Sequence, residues 1–168
     1  MGAFGAIWGV TGVVLLLASA VYRLSLTALG ALSSSWLWYH MVFFLFVIAF
    51  MAYAEGYRAF QQRFSPRVAA RAKYLMNHPS IFRVLLAPIF CMGFFHATRR
   101  RKITSISVTG GIIILVLLVR AVPQPWRGIV DLGVVIGLTW GIVSIVIFSV
   151  KAFSSDTFAY SPDIPDGT

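Results

Sequence analysis

Three side chains of types that can bind a metal ion lie near the ends of apolar runs. Glu55, the one glutamate, follows an apolar run, and His78 and His96 flank another. Two imidazoles and a carboxylate can ligate zinc or iron. Their spacing matches no metal motif, so we expect neither a metal nor another cofactor. The simpler role of Glu55 is a salt bridge at the inner membrane interface, for example to Arg58.

A second polar group consists of His40, Arg120 and Asp131, each about one turn inside the outer end of an apolar run. The simpler interpretation is an ion pair between Asp131 and Arg120, with His40 as a hydrogen-bonding neighbour. The alternative is a proton or ion relay, because ionisable residues inside a membrane often mark a transport pathway.

Signatures of catalysis are missing elsewhere in the sequence. No glycine-rich phosphate loop precedes a lysine, and no nucleophile elbow occurs. The single cysteine, Cys91, excludes an intramolecular disulfide and suits a packing position. We therefore predict no catalytic residues.

Composition places the chain in a membrane. Of its 168 residues 59% are hydrophobic and 11% are charged, and the mean hydropathy is +0.85. A soluble domain carries about 25% charged residues. Runs long enough to cross a bilayer cover about 4–22, 36–54, 103–122 and 128–150. The predicted fold is all-α, a polytopic integral membrane protein with four transmembrane helices in one domain, 1–153.

The segment 58–102 is predicted to be a helical module on the cytoplasmic side, embedded in the membrane or re-entrant. Ser65-Pro66 is typical of a helix start and Asn77-His78-Pro79 of a helix end, which indicates a short helix lying in the interface. Pro88 and Gly93 would bend the apolar run 81–98. The alternative is that 81–98 forms a fifth span. Residues 24–32 are expected to form another short interfacial helix, and Ser33-Ser34-Ser35 to cap the second span.

Basic residues determine the expected orientation. If 58–102 and Lys151 are cytoplasmic, that side holds eleven of the fourteen Lys and Arg residues. Both termini then lie in the cytoplasm, and the predicted location is the inner (plasma) membrane. We expect the bases of the module to bind anionic lipid head groups or an acidic partner, and not nucleic acid. This basic patch comprises Arg58, Arg63, Arg67, Arg71, Lys73, Arg99, Arg100, Arg101 and Lys102.

Small residues at helical spacing predict close helix packing. Gly133, Gly137 and Gly141 form a stripe in the fourth span, and Gly5 and Gly9 repeat the spacing in the first. The stripes join the first and fourth spans within one subunit or dock a partner, and the sequence leaves both possibilities open. The tail, 154–168, is acidic and is expected to be flexible, with an electrostatic strap across the basic module as the alternative.

Three classes of function are compatible with these features. The favoured class is a non-enzymatic accessory or assembly subunit of a larger membrane complex, which binds other subunits or itself. The second is a small transporter or lipid-handling protein, suggested by the outer polar group and the re-entrant segment. The third is a membrane enzyme that uses Glu55, His78 and His96.

Overall fold

The structure, a computed structural model, describes residues 1–32, 37–155 and 158–164. These residues are helical, with no β-strand among them. In chain order the helices are α1 (Gly2–Leu32), α2 (Trp38–Met51), a π-helical segment (Ala52–Phe64), α3 (Ser65–Asn77), α4 (Ile81–Leu85), α5 (Ala87–Met92), α6 (Arg99–Arg120) and α7 (Trp126–Ser154).

Four helical stretches of the described chain are long and apolar enough to cross a membrane. They are Gly2–Gly30, Trp38–Asn77, Lys102–Arg120 and Trp126–Ser154. The predicted all-helical fold with four candidate spans is therefore confirmed. The first span is longer than expected, because residues 24–32 continue α1 and do not form a separate helix. The expected cap at Ser33-Ser34-Ser35 lies outside the described residues.

The second candidate span runs without a break from α2 through the π-helical segment into α3. The prediction that Ser65 caps a new helix is wrong. Ser65 has helical dihedral angles, and its backbone N–H donates to the carbonyl of Phe60, five residues earlier. Pro66 is accommodated because its fixed φ is helical and it stands just after the change from π to α winding. The predicted end at Asn77 is confirmed.

Helix α3 is largely buried among other helices and continues the preceding helix, whereas the sequence predicted a separate helix lying in the interface. Val68, Ala69, Ala72 and Leu75 are buried, and α1, α5 and α7 pack around the helix. Alanine side chains on several faces let neighbouring helices approach closely. Periodicity alone could not distinguish this helix from one that lies on a membrane.

Residues 81–98 form two short helices and a loop. α4 ends at Leu85, α5 ends at Met92 and is followed by Gly93, whose φ is 86°, and α6 begins at Arg99. The described chain therefore has no fifth span here. Pro88 lies within α5, close to the bend that the sequence predicts.

The glycines of both stripes contact residues of the same subunit. Although α1 and α7 pack extensively against each other, these glycines face other neighbours. A Cβ at Gly133 would lie 2.6 Å from Val47, and one at Gly137 would lie 2.7 Å from Glu55. Gly5 and Gly9 instead face α4 and α5. The close approach therefore joins α7 to the second span and α1 to the segment after α3. At Gly141 the neighbour is Phe60, at Gly5 it is Val84 and at Gly9 it is Cys91.

The termini of the long helices meet at two opposite ends of the bundle. Gly2 lies beside Met76, and Lys73 donates to the carbonyl of Ser155, so the start of α1 and the ends of α3 and α7 form what we call the lower end. At the upper end, the start of α2 meets the start of α7. α6 differs from the other candidate spans, because none of its residues from Lys102 to Arg120 is classed as buried.

Candidate functional site

The upper end carries a cluster of aromatic rings around Trp126. The ring of His40 lies 4.9 Å from that of Trp126, and Phe43 lies 5.1 Å from it. Nδ1 of His40 accepts a hydrogen bond of 3.1 Å from the backbone N–H of Leu37. His40 therefore satisfies an amide at the start of α2 and packs α2 against α7.

Asp131 is buried in α7, and its neighbour differs from the expected one. Its Oδ2 lies 3.8 Å from Nε of Arg127, one turn earlier in the same helix. Arg120 is exposed at the end of α6. The expected pairing of Asp131 with Arg120 is therefore replaced by a pair within α7, because i and i+4 side chains of one helix are already adjacent. Neither Nε of Arg127 nor Oδ2 of Asp131 has a hydrogen-bond partner among the described residues.

Glu55, His78 and His96 do not converge. Among the described residues, no three His, Cys, Asp or Glu side chains are grouped as a metal site would require. Glu55 packs against Gly137 of α7, and the ring of His78 stacks on Tyr74 at 4.6 Å. His96 stands in the loop before α6, and its carbonyl accepts a hydrogen bond from Arg71.

Arg71 is buried at the lower end, so it does not belong to a surface patch. Its side chain is 2% exposed, and its guanidinium stands 4.4 Å from the ring centroid of Phe90. It donates to four backbone carbonyls, which belong to Phe90, Phe95, His96 and Pro162 at distances of 2.7 to 3.0 Å. One α3 side chain thus joins α5, the following loop and the tail.

The described part of the tail lies against α3. The backbone N–H of Thr98 donates to the carbonyl of Asp163, and Asp163 Oδ2 lies 4.0 Å from Nε of Arg67. Ile164 packs against the core cluster. These contacts correspond to the strap alternative, although the electrostatic part is one partly exposed pair, a type worth about 0–1 kcal/mol.

The other lysines and arginines of the predicted basic patch lie on different parts of the structure. Lys73 is half-buried and donates to the carbonyl of Ser155. Arg99 and Lys102 are exposed at the start of α6, and the side chains of Arg100 and Arg101 lie outside the described part. Arg58 and Arg63 are exposed on the π-helical segment, away from the lower end. The described members of the predicted basic patch therefore do not form one continuous surface.

The π-helical segment packs on the middle of α7, with Glu55 against that helix and most of its other polar side chains exposed. Gln61 accepts a 2.8 Å hydrogen bond from Nε1 of Trp140. Arg58, Gln62 and Arg63 are exposed on the other side, and we call these three residues the π face. Arg58 and Arg63 are five residues apart, which is about one turn at i→i+5 spacing.

The role of Arg71 is the feature that the sequence interpretation missed. A signal was present, since Arg71 stands within Val68-Ala69-Ala70-Arg71-Ala72, where small apolar residues surround it on every face of a helix. A helical turn rich in small apolar residues is typical of close packing between helices. An arginine buried there needs several hydrogen-bond acceptors, because its guanidinium carries five N–H donors.

Fold and site together define a class: an all-helical protein with four helices that fit a multi-pass membrane protein. No protein-family model, curated protein or solved structure matches the chain.

Proposed function

We propose that the protein is a non-enzymatic accessory or assembly subunit of a larger membrane complex, which holds a helix of another subunit against α6. The observation that supports this proposal is the sparse packing of α6, which touches α7 and the end of α5, where Ser105 Oγ donates to the carbonyl of Met92. Over Lys102–Arg120 none of its residues is buried, whereas the other three candidate spans each bury part of their surface.

The residue types of α6 favour a protein neighbour over lipid alone. Ser107 and Gly111 are exposed four residues apart, and a Cβ at Gly110 or Gly111 would meet nothing within 4 Å. Small residues at this spacing let two helices approach closely, and a lipid-facing helix gains nothing from them.

In the proposed arrangement the lower end is cytoplasmic, in the inner (plasma) membrane. Arg99, Lys102 and Lys151 are exposed and lie at or near that end, which agrees with the bias of basic residues toward the cytoplasm. Both termini then face the cytoplasm, and these bases contact anionic lipid head groups.

The test is purification of the tagged full chain in mild detergent, with the stoichiometry of co-purifying membrane subunits as the readout. Gly110→Leu combined with Gly111→Leu should remove the partner, since a Cβ at either position meets nothing within 4 Å inside the subunit. Gly30→Leu is the matched control, because a Cβ at Gly30 also meets nothing within 4 Å. A chain that purifies alone before any substitution would contradict the proposal.

A small transporter or lipid-handling protein is the second candidate, favoured by the buried Asp131. Its Oδ2 faces Arg127 without a hydrogen bond among the described residues, and intramembrane acids often mark ion or proton pathways. Loss of a substrate flux in Asp131→Asn, with a normal complement of partners, would support this function over the first.

A further inference from the structure

The π face lies at a depth where a membrane contains hydrocarbon. α7 has 29 residues and is therefore about 43 Å long. A hydrocarbon core is about 30 Å thick, so wherever α7 crosses it completely, the midpoint of α7 lies inside the core. That midpoint is Trp140, which the side chain of Gln61 contacts.

Two arginines stand beside this midpoint with their side chains exposed. Gly56 faces Trp140 and Phe60 faces Gly141, so Arg58 stands on the turn at the level of the α7 midpoint. Arg63 follows about one turn later. A charged side chain at bilayer depth is costly, and such residues almost always face protein or a water-filled cavity rather than lipid.

The chain's own described carboxylates do not neutralise these arginines. Neither Arg58 nor Arg63 has a described carboxylate within salt-bridge distance. Glu55 packs against Gly137, Asp131 faces Arg127 and Asp163 faces Arg67. Asp156 and Asp166, the other two acids, belong to the tail after α7. In a second copy of this chain the carboxylate of Glu55 would have no ion pair either, but its Oε2 would be buried against α7 and could not reach the π face of a neighbour.

We infer that the π face is the docking site for a transmembrane helix of a different subunit, which carries at least one carboxylate at mid-depth. This inference rests on the proposed role as a membrane subunit and adds the chemistry of the partner. Guanidinium groups pair with carboxylates through two parallel hydrogen bonds. Gln62, between the arginines in sequence, supplies a donor and an acceptor to the same helix.

Removing the charges of Arg58 and Arg63 tests how much they contribute to the affinity for the partner helix. Arg58→Gln combined with Arg63→Gln should weaken the affinity of the purified complex at least about thirtyfold, as expected when a buried charge pair loses one side. Arg23→Gln removes an exposed charge from α1, outside both α6 and the π face, and is the control. We expect less than about a threefold change from the control.

Chemical crosslinking tests the carboxylate itself. Arg58→Lys and Arg63→Lys keep the charge and introduce an amine, which a membrane-permeant carbodiimide joins to a carboxylate in direct contact. The expected product is a heterodimer whose crosslink maps to Asp or Glu within an apolar segment of the partner. Arg23→Lys, on an exposed position of α1 outside both proposed contacts, is the control and should give no such product.

The outcomes separate this inference from the proposed function. A partner that stays bound through α6 while both π-face lysines crosslink to nothing, or are recovered with bound phospholipid, would overturn the acidic-helix inference alone. A homodimeric crosslink would replace the different subunit by a second copy. Absence of any partner, in both the α6 and the π-face experiments, would contradict the proposed function as well.

Discussion

Nε of Arg71 donates a 2.7 Å hydrogen bond to the carbonyl of Phe90, and the same guanidinium stands 4.4 Å from the Phe90 ring centroid. Arg71 of α3 therefore holds α5 through both the backbone carbonyl and the aromatic ring of Phe90. The Nη1 and Nη2 atoms of Arg71 donate to the carbonyls of Phe95, His96 and Pro162. The same side chain therefore also holds the loop after α5 and the tail in place.

Replacing Arg71 should destabilise the protein strongly. Arg71→Met leaves buried carbonyls without donors, and we expect a loss of about 3 kcal/mol of unfolding free energy. Arg71→Lys should also be destabilising, because an ammonium cannot reproduce the planar fork. Thermal unfolding in detergent measures both. Arg63→Met is the control and should change the unfolding free energy by less than about 0.5 kcal/mol. Equal losses for Arg63→Met and Arg71→Met would show that the hydrogen bonds of Arg71 do not stabilise the fold.

The ion pair within α7 can be tested by a double-mutant cycle. Asp131→Ala leaves Arg127 without its carboxylate, so the single variant should lose more stability than Asp131→Ala combined with Arg127→Ala. Arg120→Ala should show no coupling to Asp131→Ala. Melting temperatures of the variants decide between the pairs, and coupling to Arg120 instead would restore the pairing expected from sequence.

A glycine packed against another helix and a glycine with open space beside it should respond differently to replacement by leucine. Gly137→Leu introduces a Cβ 2.7 Å from Oε2 of Glu55 and should cost about 1–3 kcal/mol. A Cβ at Gly110 meets nothing within 4 Å, so Gly110→Leu should leave the isolated subunit as stable as before. Detergent melting curves provide the measurement, and a large loss in Gly110→Leu would show that α6 packs inside its own subunit.

Thiol labelling in intact cells should report the proposed orientation. Asn77→Cys and Lys102→Cys place exposed thiols toward the lower end, whereas Gln124→Cys places one in the loop between α6 and α7. An impermeant reagent added outside should label only Gln124→Cys. The native Cys91 should not interfere, because burial raises the pKa of its thiol to about 12, against the smaller opposing effect of Arg71. Labelling of Asn77→Cys would reverse the orientation.

The amino-acid sequence by itself determined the helical class and the number of candidate spans. Runs of about 20 apolar residues can satisfy their backbone in lipid only as helices, so their length is sufficient for the prediction. The end of α3 at Asn77 was predictable for a similar local reason, because a proline two residues later cannot continue the helix. The bend near Pro88 has the same kind of origin.

Tertiary structure alone decided which faces of these helices meet. An amphipathic pattern is the same for a helix on a membrane and for one between helices, so α3 could not be placed from its periodicity. Glycine stripes indicate close contact without naming the neighbour. Here the glycines of α7 meet α2 and the π-helical segment and those of α1 meet α4 and α5, although α1 and α7 also pack on each other through other residues. Arg71 acquires its acceptors from residues 19 to 91 positions away, a separation that local sequence does not encode.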